Sequence, residues 1–285
     1  MPKGWIWDPT LFAGSAAFYA RGRLPYPAEL PQAMATSLQL SGAQRLLDVG
    51  CGPGTVALAV AHLFRDVVGI DADDGMVAEA TRLASERSIR NARWRCMRAE
   101  ALPAGLGRFH VATFAQSFHW MERDQVAANV HRMLEPGGVL VHVDCAAGVR
   151  PPAELAPDSS ARPDEPEPPR EAIDELIRRF LGPQRRAGQG VLRYGTPSGE
   201  SEVVMGAGFG PPLSVFVGGG EWHRRSMDDL VAEVFASSGS APHLFDDRID
   251  DFERELRVVL ANHSTTGYYA QQAPSMQLRI WRKSP

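Results

Sequence analysis

The chain has 285 residues, 44% of them hydrophobic and 22% charged, which excludes a disordered or fibrous protein and allows a sizeable buried core. A formal charge of -4 points to neither nucleic acid nor anionic lipid, so a small molecule is the expected partner. No apolar run nears the ~18 residues of a membrane span, the first residues lack a signal-peptide pattern, and Cys51, Cys96 and Cys145 lack metal-ligand spacing; they read as buried free thiols of a cytoplasmic protein without a metal.

Residues 1–40 are punctuated by aromatics and prolines and read as a cover, with a helix over 27–38 that starts at a proline, whose missing N–H is harmless in a first helical turn. From 41 to 146, short apolar runs at 45–49, 67–71, 92–96, 110–115 and 138–143 alternate with helical periodicity at 55–63, 76–87 and 123–134. That alternation predicts successive βα units and a parallel sheet. Residues 147–211 read as a flexible, proline- and acid-rich loop, 151–170, followed by a substrate-side insertion with a helix at 171–181; the loop has too few hydrophobics to fold alone. The stretch 212–285 reads as the C-terminal part of the core, with a strand at 213–217 ended by three glycines, helices at 226–236 and 250–261 joined through a turn at 241–245, and a last strand at 276–281.

Gly50, Gly52 and Gly54 follow the first strand and open a helix, so the backbone can turn sharply and admit a ligand with no Cβ in the way. Such a turn alone is often a plain βα connection. Its partner is Asp71, about 20 residues on at the end of the next strand, where a carboxylate can accept both hydroxyls of a ribose; alone, Asp71 would read as a helix cap. Together they form one adenosine-binding constellation. Thr55 stands where a dinucleotide fingerprint needs glycine or alanine, and no Lys-Ser or Lys-Thr follows the glycines as a P-loop requires. What remains is a nucleoside with an uncharged linker, such as S-adenosylmethionine, whose carboxylate and amine can meet loop backbone groups and Asp48.

Leu47-Asp48-Val49-Gly50-Cys51-Gly52-Pro53-Gly54-Thr55, Val68-Gly69-Ile70-Asp71, Ala99-Glu100-Ala101-Leu102-Pro103, Gln116-Ser117-Phe118-His119-Trp120 and Leu134-Glu135-Pro136-Gly137-Gly138 together resemble the class I S-adenosylmethionine-dependent methyltransferases, in the branch called type 11 methyltransferase domains. The resemblance runs over nearly the whole chain. It implies an α/β fold, a Rossmann-like three-layer sandwich whose seven-stranded, mostly parallel sheet has an antiparallel last strand, with an N-terminal cover and C-terminal substrate insertions. It implies that Gly50, Cys51 and Gly52 hold the methionine part and Asp71 the ribose, with Asp48, Ala72, Met76, Ala99, Glu100 and Gln116 completing the site; S-adenosylhomocysteine is then the product. Tyr19, in a segment resembling the cover of this branch, is a further cofactor candidate. Arg98 departs from the pattern, since many relatives carry there an aspartate for the adenine amino group; backbone groups of Ala99 or the Glu100 carboxylate are the expected replacements. His110 likewise stands for a common aspartate and reads as a structural substitution.

Methyl transfer from a sulfonium is an in-line displacement, so the main task is to hold the acceptor ~3–3.5 Å from the methyl carbon. The ligand crevice of an open α/β sheet lies beyond the strands' carboxyl ends, which places Gln116 to Trp120 beside the reacting centre. His119 is the candidate base, against a reading in which it only shapes the loop; Trp120 is a candidate pocket wall, against a place in the core. Tyr194 and His223 are candidate acceptor contacts, and Trp281 reads as core. The expected activity is methylation of a small molecule, a flat phenolic or indole-like one first. The alternatives are a cofactor-binding accessory protein without turnover and a nucleic-acid methyltransferase, which would need a cationic track.

Overall fold

The computed structural model describes residues 3–146 and 162–284. Two helices, α1 (Ala16–Gly22) and α2 (Leu30–Leu38), lead into β1 (Arg45–Val49), α3 (Thr55–Val60), β2 (Asp66–Asp71), α4 (Asp74–Glu86), β3 (Ala92–Cys96), β4 (Phe109–Ala115), α5 (Arg123–Met133) and β5 (Leu134–Cys145). There follow α6 (Arg170–Leu181), the short strands β6 (Arg186–Ala187) and β7 (Gly190–Val191), α7 (Glu200–Gly206), β8 (Leu213–Gly218), β9 (Trp222–Ser226), α8 (Met227–Phe235), α9 (Ile249–His263), β10 (Tyr268–Gln272) and β11 (Met276–Arg282). The part of the expected 151–170 loop up to Ala161 lies outside the described residues, and 162–169 runs into α6 without a regular element.

One seven-stranded sheet has the order β3-β2-β1-β4-β5-β11-β8. The first five strands are parallel, and β11 lies antiparallel between β5 and β8. Leu46, Leu47 and Val49 of β1 are fully buried, as expected of a parallel strand covered on both faces. Leu46, Val67, Val111 and Val141 pack under α2 and α3, while Leu47, Val68 and Phe114 pack against Val126 and Val130 of α5, Val204 of α7 and Trp281 of β11. This is the three-layer sandwich, with Trp281 in its core.

The edge strand β3 differs from the expectation of a buried run: Arg93, Arg95 and Cys96 are exposed. Of the three thiols expected to be buried, only Cys51 is; Cys96 lies on that edge and Cys145 at the open end of β5. Apolar flanks mark a strand in the sequence without saying how many neighbours it will have. The helix expected from 27 starts at Leu30 with Pro31 in its first turn.

Between β8 and β11 the chain leaves the sheet. The antiparallel β9–β10 pair, α8 and α9 join α6 around Phe235, Phe245, Phe252 and Leu256, with the Phe245 and Phe252 rings stacked 4.0 Å apart. The N-terminal helix belongs to this body. A Cβ on Gly22 of α1 would lie 2.4 Å from the Ala232 carbonyl oxygen of α8, so only glycine allows the approach. Ser15 Oγ donates to the Phe235 carbonyl at 2.7 Å, and the buried Arg225 donates to the Gly22 carbonyl at 2.8 Å. The start of the chain and the late insertion thus form one cap. Among the described residues no helix is long and apolar enough to cross a membrane.

Candidate functional site

The carboxyl end of β1 places Asp48 in the middle of the sheet, level with Gly69 and Thr113. Thr113 Oγ donates to Asp48 Oδ1 at 2.7 Å, and Oδ2 is buried with no partner. Burial pushes the Asp48 carboxyl up to about 6, with Thr113 opposing and the charge of Asp71 adding to the rise.

The turn after β1 takes left-handed backbone at Gly50 (φ 68°) and Gly52 (φ 54°). A side chain on Gly50 would strike Ser117 at 2.6 Å, whereas a Cβ on Gly52 would meet nothing within 4 Å. The first glycine lets the loop after β4 close in, and the second leaves bare backbone facing open space. Gly52 N–H donates to Asp71 Oδ2 at 2.7 Å and Asp73 N–H to Oδ1 at 3.0 Å, which ties turn and acid together; burial raises the Asp71 carboxyl above its usual range.

A cleft with about 70 Å³ of enclosed volume, about 570 Å³ when the open space at its mouth is counted, lies here. Gly50, Asp71, Ala72, Ala99, Glu100 and Trp120, all expected in the site, line it together with Asp73, Arg98, Ser117 and Met121. Its roof is the N-terminal segment, through Trp7, Pro9, Leu11 and Phe12. That roof is anchored: Trp5 Nε1 donates to the Ala187 carbonyl at 3.0 Å, and its ring lies 5.3 Å from Trp120. The Arg98 guanidinium sits 4.6 Å over the Trp7 ring and 3.1 Å from Glu100 Oε2. Glu100 Oε1 accepts from Glu122 N–H at 3.0 Å; although burial raises its pKa, these bonds hold the carboxyl below its usual range.

The remaining candidates lie off the cleft lining. Asp48, Cys51 and Gly52 adjoin Gly50 along the turn but do not line the cleft, and burial pushes the Cys51 thiol well up. Met76 is buried in α4, its N–H capped by Asp73 at 2.9 Å, and does not line the cleft. Gln116 has φ 56°, a strained conformation for a residue with a side chain, and its amide donates to the Val143 carbonyl at 3.4 Å. His119 is half-buried on a single 3₁₀ turn, 4.8 Å from the Trp120 ring and behind the cleft wall. Burial pushes its imidazole down to about 4; Arg185, Arg123 and His142 lower it further and Glu200 opposes. Tyr194 is 70% exposed and His223 pairs with Gln271 across the antiparallel β9–β10 pair of the cap; neither lines the cleft.

Tyr26 and the His142, Glu200 and Arg279 group were not among the sequence candidates, whereas Tyr19 was. Tyr19, with the Arg23 guanidinium 5.2 Å over its ring, has a neighbour in Tyr26, whose hydroxyl is raised by burial and by the nearby Tyr19, Asp48 and Cys145. The Tyr19/Tyr26 spacing in an aromatic segment was the available signal. Behind His119, His142 Nδ1 lies 3.3 Å from Glu200 Oε2, and Arg279 pairs with Glu200 and with Asp144, at 2.7 Å from its Nε. His142, Asp144 and Glu200 bring three potential ligand atoms within 4.8 Å of one another, yet Arg279 already forms ion pairs with both carboxylates. Half-buried Glu200 is held down to about 2 by His142 and Arg279, although burial alone would raise it.

Sheet order, glycine turn and acid at the second strand's end define a nucleoside-binding α/β domain. Residues 46–138, about a third of the chain, match the family described as Methyltransferase domain, so the chain carries an S-adenosylmethionine-dependent methyltransferase domain. It is 28% identical over 138 residues to the uncharacterized methyltransferase YcgJ of Bacillus subtilis, a match covering 48% of this chain and 54% of the relative; the chain thus spans about half the length of such curated relatives. The crystal structure of the same Bacillus protein superposes with a TM-score of 0.51 at 18% identity, covering 90% of this chain and 98% of that one. A [4+2]-cyclase superposes equally well, TM-score 0.51 at 23% identity over 92% of this chain and 85% of its own. Likeness at this level establishes the fold, and fold alone does not specify chemistry.

Proposed function

We propose that the chain transfers the methyl group of S-adenosylmethionine to a small molecule, with flat phenolic or indole-like acceptors the first class to test. The observation that carries this reading is the buried oxygen of Asp48, without a partner among the described residues, beside a glycine turn that leaves free space at Gly52. Such a site suits a ligand with an ammonium for Asp48 and ribose hydroxyls for Asp71. Ala72, Ala99 and Glu100 would flank the base, with Trp7 and Arg98 above it.

S-adenosylmethionine, when bound, supplies an electrophilic methyl group. The protein's own part is to hold, orient and shield. The aromatic roof excludes water, and Trp120 and Phe12 offer ring faces to a cationic sulfur. His119 is neutral at pH 7 and can accept a hydrogen bond from an acceptor, but an imidazole held near 4 is a weak base and takes a proton only late, as the new bond acidifies the acceptor. Tyr194 and His223 have no part in this reading.

Calorimetry with S-adenosylmethionine tests it: binding by the wild type, lost in Asp71→Ala, supports the cofactor assignment, and no binding by folded wild type removes it. A second reading, a cofactor-binding protein without transfer, is favoured by the place of His119 behind the cleft wall. Tight binding with no S-adenosylhomocysteine formed across a panel of aromatic acceptors would select it.

A further inference from the structure

The net charge of the chain conceals an asymmetry. Parallel strands begin at the end of the sheet opposite the cleft, and at those beginnings the topology gathers arginines that are far apart in sequence. Arg45 opens β1, Arg65 precedes β2, Arg90 and Arg93 flank the start of β3, and Arg108 precedes β4. Arg282 ends the antiparallel β11 at the same side, followed by Lys283, whose Nζ donates to the carbonyls of His131 and Leu134. The clustering is borne out by contacts. Arg45 Nε lies 2.7 Å and Arg93 Nη2 2.9 Å from the same carboxylate oxygen of Asp66, and Arg45 Nη1 donates to the Arg108 carbonyl at 2.7 Å.

Asp66 thus serves two of these cations, and Glu135, 3.7 Å from His110 Nδ1, lies at the same end. Among the described residues Arg65, Arg90, Arg108 and Arg282 are exposed and have no side-chain partner. The row crosses six neighbouring strands, β3 to β11, which at ~4.8 Å per strand is about 24 Å. Among the described residues the aromatic rings beside these arginines, Phe64, Phe109 and Phe209, are buried, so they offer no face for stacking bases.

We propose that this row binds the phosphate backbone of double-stranded nucleic acid without reading its sequence. A 24 Å line of guanidinium forks matches a polyanion carrying one charge per ~1.7 Å of axis and spans about seven base pairs. The strands separate the row from the cleft, so the contact tethers the protein and leaves the cleft open. The inference is independent of the methyltransferase reading.

The test is fluorescence anisotropy with the full chain and labelled 20-base-pair RNA and DNA duplexes of unrelated sequences. Binding is expected in the micromolar range at 50 mM salt, indifferent to sequence, with log affinity falling against log salt at a slope of about -4, four phosphate contacts. Arg65→Glu/Arg90→Glu/Arg108→Glu should weaken binding at least tenfold while S-adenosylmethionine binding by calorimetry and the melting curve stay unchanged. Arg179→Glu/Arg254→Glu, on the cap, should leave duplex binding intact. The proposal is overturned if neither duplex binds at 50 mM salt, if the triple variant binds as the wild type does, or if vesicles of anionic phospholipid are bound and duplexes are not. In the first case the arginines serve only the strand and helix ends they flank.

Discussion

Thr113 satisfies one oxygen of Asp48 at 2.7 Å and leaves the other buried and bare. With its carboxyl raised to about 6 by burial, folded Asp48 holds a proton that the unfolded chain would release near 4, so its contribution to stability is present at low pH and lost as pH rises through 6. An ammonium ligand reverses the preference. Cofactor affinity should therefore tighten between pH 5 and 7 in the wild type and stay flat in Asp48→Asn, which should bind ~10–100-fold more weakly at pH 8 yet melt no lower without ligand. Calorimetry across pH and thermal melts check both halves.

His119 makes a prediction of opposite sign. Its folded pKa, about 4, lies below the ~6.5 of an unfolded imidazole, so the unfolded chain takes up the proton first and stability falls as pH drops from 6.5 towards 4. His119→Gln should remove part of that slope in urea titrations at pH 4.5 and 7. If the side chain assists transfer, turnover should be level from pH 6 to 8 and fall in His119→Gln with cofactor affinity unchanged; equal losses in both would make it structural.

Arg279 holds Asp144 and Glu200 together at the flank of the sheet. Arg279→Met leaves two partly buried carboxylates facing each other, and ~2 kcal/mol of stability should be lost, less than for a fully enclosed pair because water reaches these groups. Glu200 is held down to about 2, so its contribution is present above its unfolded pKa near 4.5 and lost as pH falls towards 2. Arg279→Met/Glu200→Gln should recover part of the loss in a double-mutant cycle.

Gly22→Ala tests the cap joint. The added methyl meets the α8 backbone, and ~1–3 kcal/mol should be lost, with faster release of cofactor as the roof loosens. Stopped-flow displacement separates this from a general loss of stability, which would leave the release rate untouched.

The sheet was legible because alternating apolar runs and helical periods recur from Arg45 to Val143, and the turn was legible because Gly50, Gly52 and Asp71 stand at fixed offsets. Arg98 was visible as a departure, but its stacking on Trp7 was not, since 91 residues separate them. Tyr194 and His223 were chosen as polar aromatics in the right half of the chain; a residue type cannot say which body its strand joins. The same limit hid the cap, whose helices carry periodicity as regular as those of the core, and the basic row, which exists only once the strands are in order.

The contact of Gly22 with Ala232 has a consequence for any transplant of parts between relatives. Roof and late insertion are one mechanical piece, although nearly the whole domain separates them along the chain. A chimera that exchanges only the insertion would sever the seam, whereas one that exchanges residues 5–22 together with 222–272 would carry acceptor preference and cofactor residence time across as a single inherited trait.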